Sequence, residues 1–389
     1  MKKKICVITS SRADFGLLKN LLKKLNLSFD LKLVVTGTHL HEKFGYTKNF
    51  ITQEKIKIFK SIKIYENNNF NNINETYILK TISKTIVEFD KIYKKIKPKL
   101  IIVLGDRYEI FASVISANIN RLPVAHIHGG ETTSNALDDA FRHCITQLSQ
   151  LHFVAAKKYY NRVIQLGKNP INVHLVGGLG PSNIKSIKKF GKKKILQKYG
   201  LDNKKPYLIL IYHSETLEKN YGILGIKNIL KVLSKFKDMQ ILVSLPNADT
   251  NSNKVLSLIN NHTDNIIKKF KSIDYDDFIS LMKYSCFIIG NSSSGIIEAP
   301  SLKIPTINVG NRQHGRLRAI SIIDTNYQTG QIERSVKLAM SKKFKNKLKN
   351  LKNPYYHGDS IKKIVNIIKK IKSFEYFDKI EFFNLKKIK

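Results

Sequence analysis

From residue 4 onward the chain alternates short apolar runs with longer stretches in which apolar residues recur every three or four positions. A brief aliphatic run closed by a polar turn forms a buried strand, and the three-to-four spacing forms one face of a helix. Lys4 to Ser10 reads as the first strand, and Leu17, Leu18, Leu21, Leu22 and Leu25 mark the helix that follows. Further strands are expected at Phe29 to Thr36, Leu100 to Leu104, Val124 to His128, His152 to Ala155 and Val173 to Val176. Helices are expected at Tyr77 to Ile96, Tyr108 to Ile119 and Asp138 to Leu151. Parallel neighbours need a crossover of a dozen or more residues, which each helical stretch supplies. The pattern points to a parallel sheet with helices on both faces.

Between Gly177 and about Tyr199 the alternation gives way to Gly, Pro, Ser and Lys, the composition of a connection between domains. It resumes with strands at Tyr207 to Tyr212, Gln240 to Leu245, Cys286 to Gly290 and Thr306 to Val309. Helices accompany them near Ile223 to Phe236, near Thr250 to Asn261 and from Gly295, and one more is expected near Ser360 to Ile371. A chain of 389 residues exceeds what one core usually organises, and no repeat of solenoid period is visible. The expected division is an N-terminal parallel-sheet domain over 1–178 and a second over 179–389 with a helical tail.

The net charge of +39 raises the question of nucleic acid. Its lysines are spread through the whole chain, and the densest stretch, Lys342 to Lys352, lacks interleaved aromatic stacking platforms. Solvated surface is the expectation, with no nucleic-acid partner, though the charge can speed the arrival of an anionic substrate. No run approaches the roughly 20 apolar residues of a membrane span. Met1-Lys2-Lys3-Lys4 leads straight into a strand without a signal-peptide cleavage region, so a cytoplasmic protein with no membrane partner is expected. Cys6, Cys144 and Cys286 are odd in number and far apart, the pattern of core thiols rather than of disulfides or a zinc site.

In open parallel sheets, ligands bind beyond the carboxyl ends of the strands, so chemistry is sought in those loops. Gly105-Asp106-Arg107 places an acid there, although a helix N-cap with a neighbouring salt bridge would use the same residues. His126-Ile127-His128-Gly129-Gly130-Glu131 ends a strand with two histidines at alternate positions, hence on one face. No third ligand of suitable spacing follows, so no metal is expected, and at least one histidine should serve packing or hydrogen bonding. Asp138 and Asp139 open the next helix with Arg142 and His143 one turn on, where a simple helix-stabilising bridge is the alternative. Asp106, Glu131 and Asp138 all come from strand-end loops of one sheet and can converge. Crowded carboxylates acquire separated proton affinities, as needed when one group removes a proton and another delivers one.

In the second half, Gly290-Asn291-Ser292-Ser293-Ser294-Gly295 links a strand to a helix. Backbone N–H groups and Ser hydroxyls there can hold a diphosphate without a metal, and Glu298 one turn in can take ribose hydroxyls. An ordinary Ser N-cap would look the same, and neither the P-loop nor the dinucleotide glycine pattern is present. Arg12 in one half and His213 with Glu215 in the other also lie in strand-end loops, pointing to a cleft that clamps an anion.

The assembled motifs resemble the UDP-N-acetylglucosamine 2-epimerase family, its hydrolysing, sialic-acid-pathway branch above all. The resemblance runs in order through Thr9-Ser10-Ser11-Arg12-Ala13-Asp14-Phe15-Gly16, Val35-Thr36-Gly37, Leu104 to Arg107, His126 to Glu131 and Arg142-His143. It continues through Asn247-Ala248-Asp249-Thr250 and Gly290 to Leu302. It implies a GT-B-like fold of two Rossmann-like, doubly wound α/β domains with the active site in the cleft between them. The implied reaction converts UDP-N-acetylglucosamine to N-acetylmannosamine and UDP through a glycal, without NAD or another cofactor, in a homodimer or homotetramer.

Asp106, Glu131 and Asp138 match the family's catalytic acids, with Asp139 a close competitor for the last, and His213 matches a position near the departing diphosphate. Arg12, Arg107, Asp139, Arg142, Asn247, Ser292, Ser293, Ser294, Gly295, Glu298 and Arg312 match substrate-binding positions. One departure is His213-Ser214, where the commoner dipeptide is His-Pro. The stretch Thr132 to Leu137 is expected to touch the sugar, and the same chemistry on a nucleotide-linked 2,4-diacetamido-2,4,6-trideoxyhexose is the nearest rival. A GT-B glycosyltransferase would share the cleft but has no use for three clustered acids.

Overall fold

The computed structural model describes residues 2–65, 73–187, 190–246, 249, 251–262, 267–375, 377 and 381–385. Two parallel sheets organise the chain. The first holds β1 (Lys4–Thr9), β2 (Asp30–Val35), β3 (Ile58–Ser61), β4 (Leu100–Leu104), β5 (Val124–Ile127), β6 (Leu151–Val154) and β7 (Val173–Leu175), in the order β3-β2-β1-β4-β5-β6-β7. The second holds β8 (Tyr207–Ile211), β9 (Gln240–Ser244), β10 (Ile267–Phe270), β11 (Ile288–Gly290), β12 (Thr306–Val309) and β13 (Ile322–Thr325), ordered β10-β9-β8-β11-β12-β13. In each sheet the strand order reverses beside its first strand, between β1 and β4 and between β8 and β11. A reversal of this kind opens a crevice at the carboxyl edge.

The alternation of side chains along each strand divides the core in two. Ile5 and Val7 pack with Leu18, Leu21, Leu22 and Leu25 on one face of the first sheet, and Cys6 and Ile8 pack with Phe89, Ile92 and Tyr93 on the other. In the second sheet Leu208 and Leu210 face one layer and Tyr207, Ile209 and Ile211 the other. Both faces are covered, which is why the central strands read as continuous apolar runs.

Several expectations are corrected. The connection after Gly177 is helical over Leu179–Ser186 and Lys192–Lys198. Pro181 sits in the first turn of the former, where a missing N–H costs no helical bond. The helix Ser360–Lys370, assigned by position to the second half, contributes Ile361, Ile364, Val365 and Ile368 to a core of the first. The helix after β11 begins at Ser293, two residues before Gly295. Cys6 is buried, but Cys144 is exposed and Cys286 half-buried, so the thiols are not uniformly core residues.

The two halves touch closely. Gly16, in the helix Arg12–Ser28, lies flush against Tyr275, and a Cβ there would stand 2.7 Å from its ring. The buried Lys19 ammonium pairs with Glu54 at 2.9 Å and, across the division, with Asp276 at 2.7 Å.

Candidate active site

The two crevices face each other and merge into a cleft of about 1310 Å³, open to solvent. Arg12, Asp106, Arg107, Glu131, Asp138 and Arg142 line it from the first half. His213, Ser292, Ser293, Ser294, Glu298 and Arg312 line it from the second. Asp139 and Gly295 do not. The Asp139 carboxylate turns inward to accept the Thr133 N–H at 2.5 Å, and Gly295 packs its backbone against Thr306. Asn247 lies outside the described residues.

The loop after β1 is fixed by one side chain. The buried Asp14 carboxylate accepts from the Thr9 hydroxyl at 2.5 Å, from the Ser10 N–H at 2.9 Å and from the Ser11 N–H at 3.1 Å. This also forms a capping box with Ser11 at the start of the helix Arg12–Ser28. Arg12 is thereby projected across the cleft, where Nη1 donates to the Ile273 carbonyl at 2.7 Å. Arg107 is likewise a bridge, donating Nε to Glu109 at 3.1 Å in its own half and Nη1 to Asp249 at 3.1 Å in the other.

The three acids occupy different electrostatic settings. Asp106 pairs with Arg142, whose Nη1 also donates to the His128 carbonyl at 3.2 Å. Glu131 is 1% exposed, with Arg316 Nη1 at 2.8 Å and His128 Nδ1 at 3.2 Å. Burial alone would raise its carboxyl, but the Arg316 guanidinium and His128 outweigh burial and hold it down at about 2. Among the described residues Asp138 has no such ion-pair partner. Burial first, and then the charges of Asp106 and Asp249, push its carboxyl up to about 8, against the pull of Arg107 and Arg312. One cleft thus contains a carboxyl held down and another pushed up, the separated proton affinities expected of crowded carboxylates.

The strand-end histidines part company. His126 is fully buried, with Nε2 2.7 Å from the Gly105 carbonyl and Nδ1 3.1 Å from the Thr146 hydroxyl, so it serves packing and hydrogen bonding. His128, just past β5 and in the left-handed region at φ 66°, accepts the Leu179 N–H at Nε2, which leaves its Nδ1 hydrogen facing Glu131. Among the described residues no group of three His, Cys, Asp or Glu side chains could hold a metal ion.

The second half supplies the facing wall. Gly290 has φ 136°, and a Cβ there would stand 1.9 Å from the Ile211 carbonyl, so only glycine lets β11 end this close to β8. Asn291 then ties the two loops together, accepting the His213 N–H at 2.8 Å and donating to its carbonyl at 2.9 Å. Burial, then the cations Arg312, Arg12 and Arg107, hold the His213 imidazole neutral, down at about 3, despite Asp249. Arg312 and Gln313 both donate to the Asn291 carbonyl, at 3.3 and 2.8 Å. Glu298, 5% exposed, is pushed up to about 8 by burial, with Arg316 opposing and Glu131 reinforcing the rise.

Arg316 emerges as a residue the sequence did not single out, and it meets Thr133, one position of the stretch expected to touch the sugar. Arg316 reaches back from the second half to the Thr132 carbonyl at 2.9 Å, the Thr133 hydroxyl at 3.2 Å and the Glu131 carboxylate. Thr133 lines the cleft, whereas its neighbours engage the other half: Ser134 donates to the His314 carbonyl at 3.0 Å and Asn135 to Glu218 at 2.8 Å. Of the stretch Thr132 to Leu137, expected to touch the sugar, Thr133 alone lines the cleft.

Comparison with known proteins accords with this geometry. The model of the family described as UDP-N-acetylglucosamine 2-epimerase matches residues 22–369. The polysialic acid biosynthesis protein P7 of Escherichia coli is 37% identical over 97% of each chain. The GDP/UDP-N,N'-diacetylbacillosamine 2-epimerase (hydrolyzing) of Campylobacter jejuni is 34% identical over 88% of this chain and 89% of its own. The UDP-N-acetylglucosamine 2-epimerase of Neisseria meningitidis, solved bound to UDP-N-acetylglucosamine, shares the GT-B-like fold with a TM-score of 0.79 at 20% identity, covering 94% of this chain and 100% of that one. By its matched length, its relatives and its paired parallel sheets, the chain belongs to the UDP-N-acetylglucosamine 2-epimerase family, on its hydrolysing branch.

Proposed function

We propose that this enzyme hydrolyses UDP-N-acetylglucosamine with inversion at carbon 2, releasing N-acetylmannosamine and UDP. The observation that carries the reading is the convergence of Asp106, Glu131 and Asp138 on one cleft, with Asp138 pushed up to about 8, and with Arg12, His213 and Arg312 lining the same cleft. A carboxylate takes the proton from carbon 2 while the carbon 1–oxygen bond breaks, and the electron pair leaves with the diphosphate. The resulting glycal then gains a hydroxyl at carbon 1 from water and a proton at carbon 2 from the opposite face. Glu131, held near 2, is a weak base, so its part is to oppose the positive charge building at carbon 1. The proton traffic falls to Asp106 and Asp138, assistance of a kind that contributes about 10²- to 10⁴-fold.

Arg12 and Arg312 take the diphosphate, with the hydroxyls of Ser292 to Ser294 beside them, and Glu298 takes the ribose. Under this reading the enzyme works in the cytoplasm as a homodimer or homotetramer and feeds a sialic-acid-type pathway. The C. jejuni relative, 34% identical and named for N,N'-diacetylbacillosamine, supports a second reading with the same chemistry on a 2,4-diacetamido-2,4,6-trideoxyhexose. Incubation with each nucleotide sugar in deuterated water, followed by NMR, tests both. Free nucleoside diphosphate and a manno-configured sugar deuterated at carbon 2 are expected. Protium retained at carbon 2 would exclude the elimination.

A further inference from the structure

We infer that the Thr133 hydroxyl donates a hydrogen bond to an acceptor oxygen of the bound sugar, namely the carbonyl of its 2-acetamido group. The inference deepens the proposed function and rests on it. A threonine hydroxyl has one hydrogen to give and two lone pairs to receive with. Both lone pairs of Thr133 Oγ1 are engaged: Arg142 Nη2 donates from the first half at 3.2 Å, and Arg316 Nη2 donates from the second at 3.2 Å. Its single hydrogen meets no acceptor among the described residues, and the side chain lines the cleft. The two guanidiniums therefore leave it one direction, toward the ligand.

The backbone around it is fixed as well, its N–H donating to Asp139 at 2.5 Å and its carbonyl accepting the Ala136 N–H at 3.0 Å. Thr133 stands between two carboxylates that are themselves engaged, since the same Arg142 nitrogen also holds Asp106 and the same Arg316 guanidinium also holds Glu131. With both lone pairs filled, the Thr133 hydroxyl itself can only donate to a ligand. The Thr133 hydrogen matches an acceptor, and the strongest neutral acceptor on an N-acetylated sugar is the amide carbonyl of the substituent on carbon 2, the carbon that Asp106 and Asp138 serve. A hydrogen bond there fixes the rotation of the substituent beside the carbon whose proton moves, so it discriminates for the acetamido group and orients carbon 2 toward Asp106 and Asp138.

The test compares wild type, Thr133→Ser and Thr133→Val with UDP-N-acetylglucosamine and with its N-trifluoroacetyl analogue, whose carbonyl is a far weaker acceptor. Thr133→Ser keeps the hydroxyl and should retain kcat/KM within about 3-fold, while Thr133→Val should lose ~30-fold or more on the acetyl substrate, the scale expected when a buried partner is left unpaired. The valine also removes the acceptor of two arginines, and that loss is common to both substrates. The loss specific to the acetamido bond is the excess, expected at about 10-fold on the acetyl substrate over the analogue. Equal losses on both substrates, or a serine as impaired as the valine, would overturn the assignment while leaving the reaction intact. A wild-type protein inert toward both would overturn the proposed function, and the assignment with it.

Discussion

Arg316→Met is the perturbation on which the account of the carboxylates depends most. In the wild type Glu131 is held at about 2 against an ordinary 4.5, and each tenfold change in proton affinity is worth ~1.4 kcal/mol, so the network around it contributes roughly 3 kcal/mol of stability at neutral pH. A carboxyl depressed in the fold stabilises it fully above the unfolded-state value, and that contribution fades as pH falls from 4.5 toward about 2. Without Arg316, Glu131 keeps its burial and loses its main counter-charge, so its carboxyl rises above the ordinary range and folding then opposes its ionisation. Urea unfolding should show the variant about 3–5 kcal/mol less stable at pH 7, the scale expected when a buried pair loses one partner. That gap should narrow by about 1 kcal/mol or more at pH 4.

The lost contacts to Thr132 and Thr133 add a part that does not vary with pH, and Glu298, the other carboxyl that Arg316 pulls on, is already pushed up to about 8 and titrates above this window, so the slope between pH 4 and pH 7 reports mainly Glu131. In turnover, the acid limb of kcat/KM should move to higher pH. Glu131→Gln should cost far less in the Arg316→Met background than in the wild type. A stability gap that is the same at every pH, or additive effects of the two substitutions, would refute the reasoning.

Asp138 gives the opposite sign. Its raised carboxyl weakens the fold as pH climbs from 3.8 toward about 8, so Asp138→Asn should raise the urea midpoint at pH 8, converge on wild type at pH 4, and abolish turnover. A pH-independent difference would count against it. Asp106→Asn keeps a polar group beside Arg142 and should reduce kcat by about 10²- to 10⁴-fold while the nucleotide Kd, read by calorimetry, changes little. Equal losses in both would reduce Asp106 to a structural partner of Arg142.

The central strands were legible because burial on both faces favours continuous apolar runs: Leu100–Leu104 has the limits read from its run, and Thr306–Val309 keeps its expected limits even with Asn308, whose amide donates to Asp324 on the edge strand. The strands missed, β3, β10 and β13, all lie at sheet edges, where intermediate burial admits Lys60, Lys268, Lys269 and Asp324 and breaks the run. The helix Tyr275–Tyr284 did carry a signal, in the Asp274 cap and the spacing of Phe278, Ile279, Leu281 and Met282. In the site, Asp106, Glu131 and Asp138 could be located because strand ends predict where side chains emerge. Thr133 and Arg316 could not be paired from sequence, since 183 positions separate them and only the facing of two sheets brings them together.

The return of the helix Ser360–Lys370 to the first sheet bears on how the protein is made. Lys3 Nζ donates to the carbonyls of Ile371 and Lys372 at 2.6 and 2.8 Å, joining the start of β1 to residues synthesised more than 360 positions later. While the chain is still on the ribosome, the layer containing Leu18, Leu21 and Leu25 lacks the residues that close it. The half bearing Asp106, Glu131 and Asp138 can therefore finish its core only after the second half has emerged, so a nascent chain does not expose that set of acids on a completed fold ahead of the residues, Arg316 and Arg312 among them, that shape their charge.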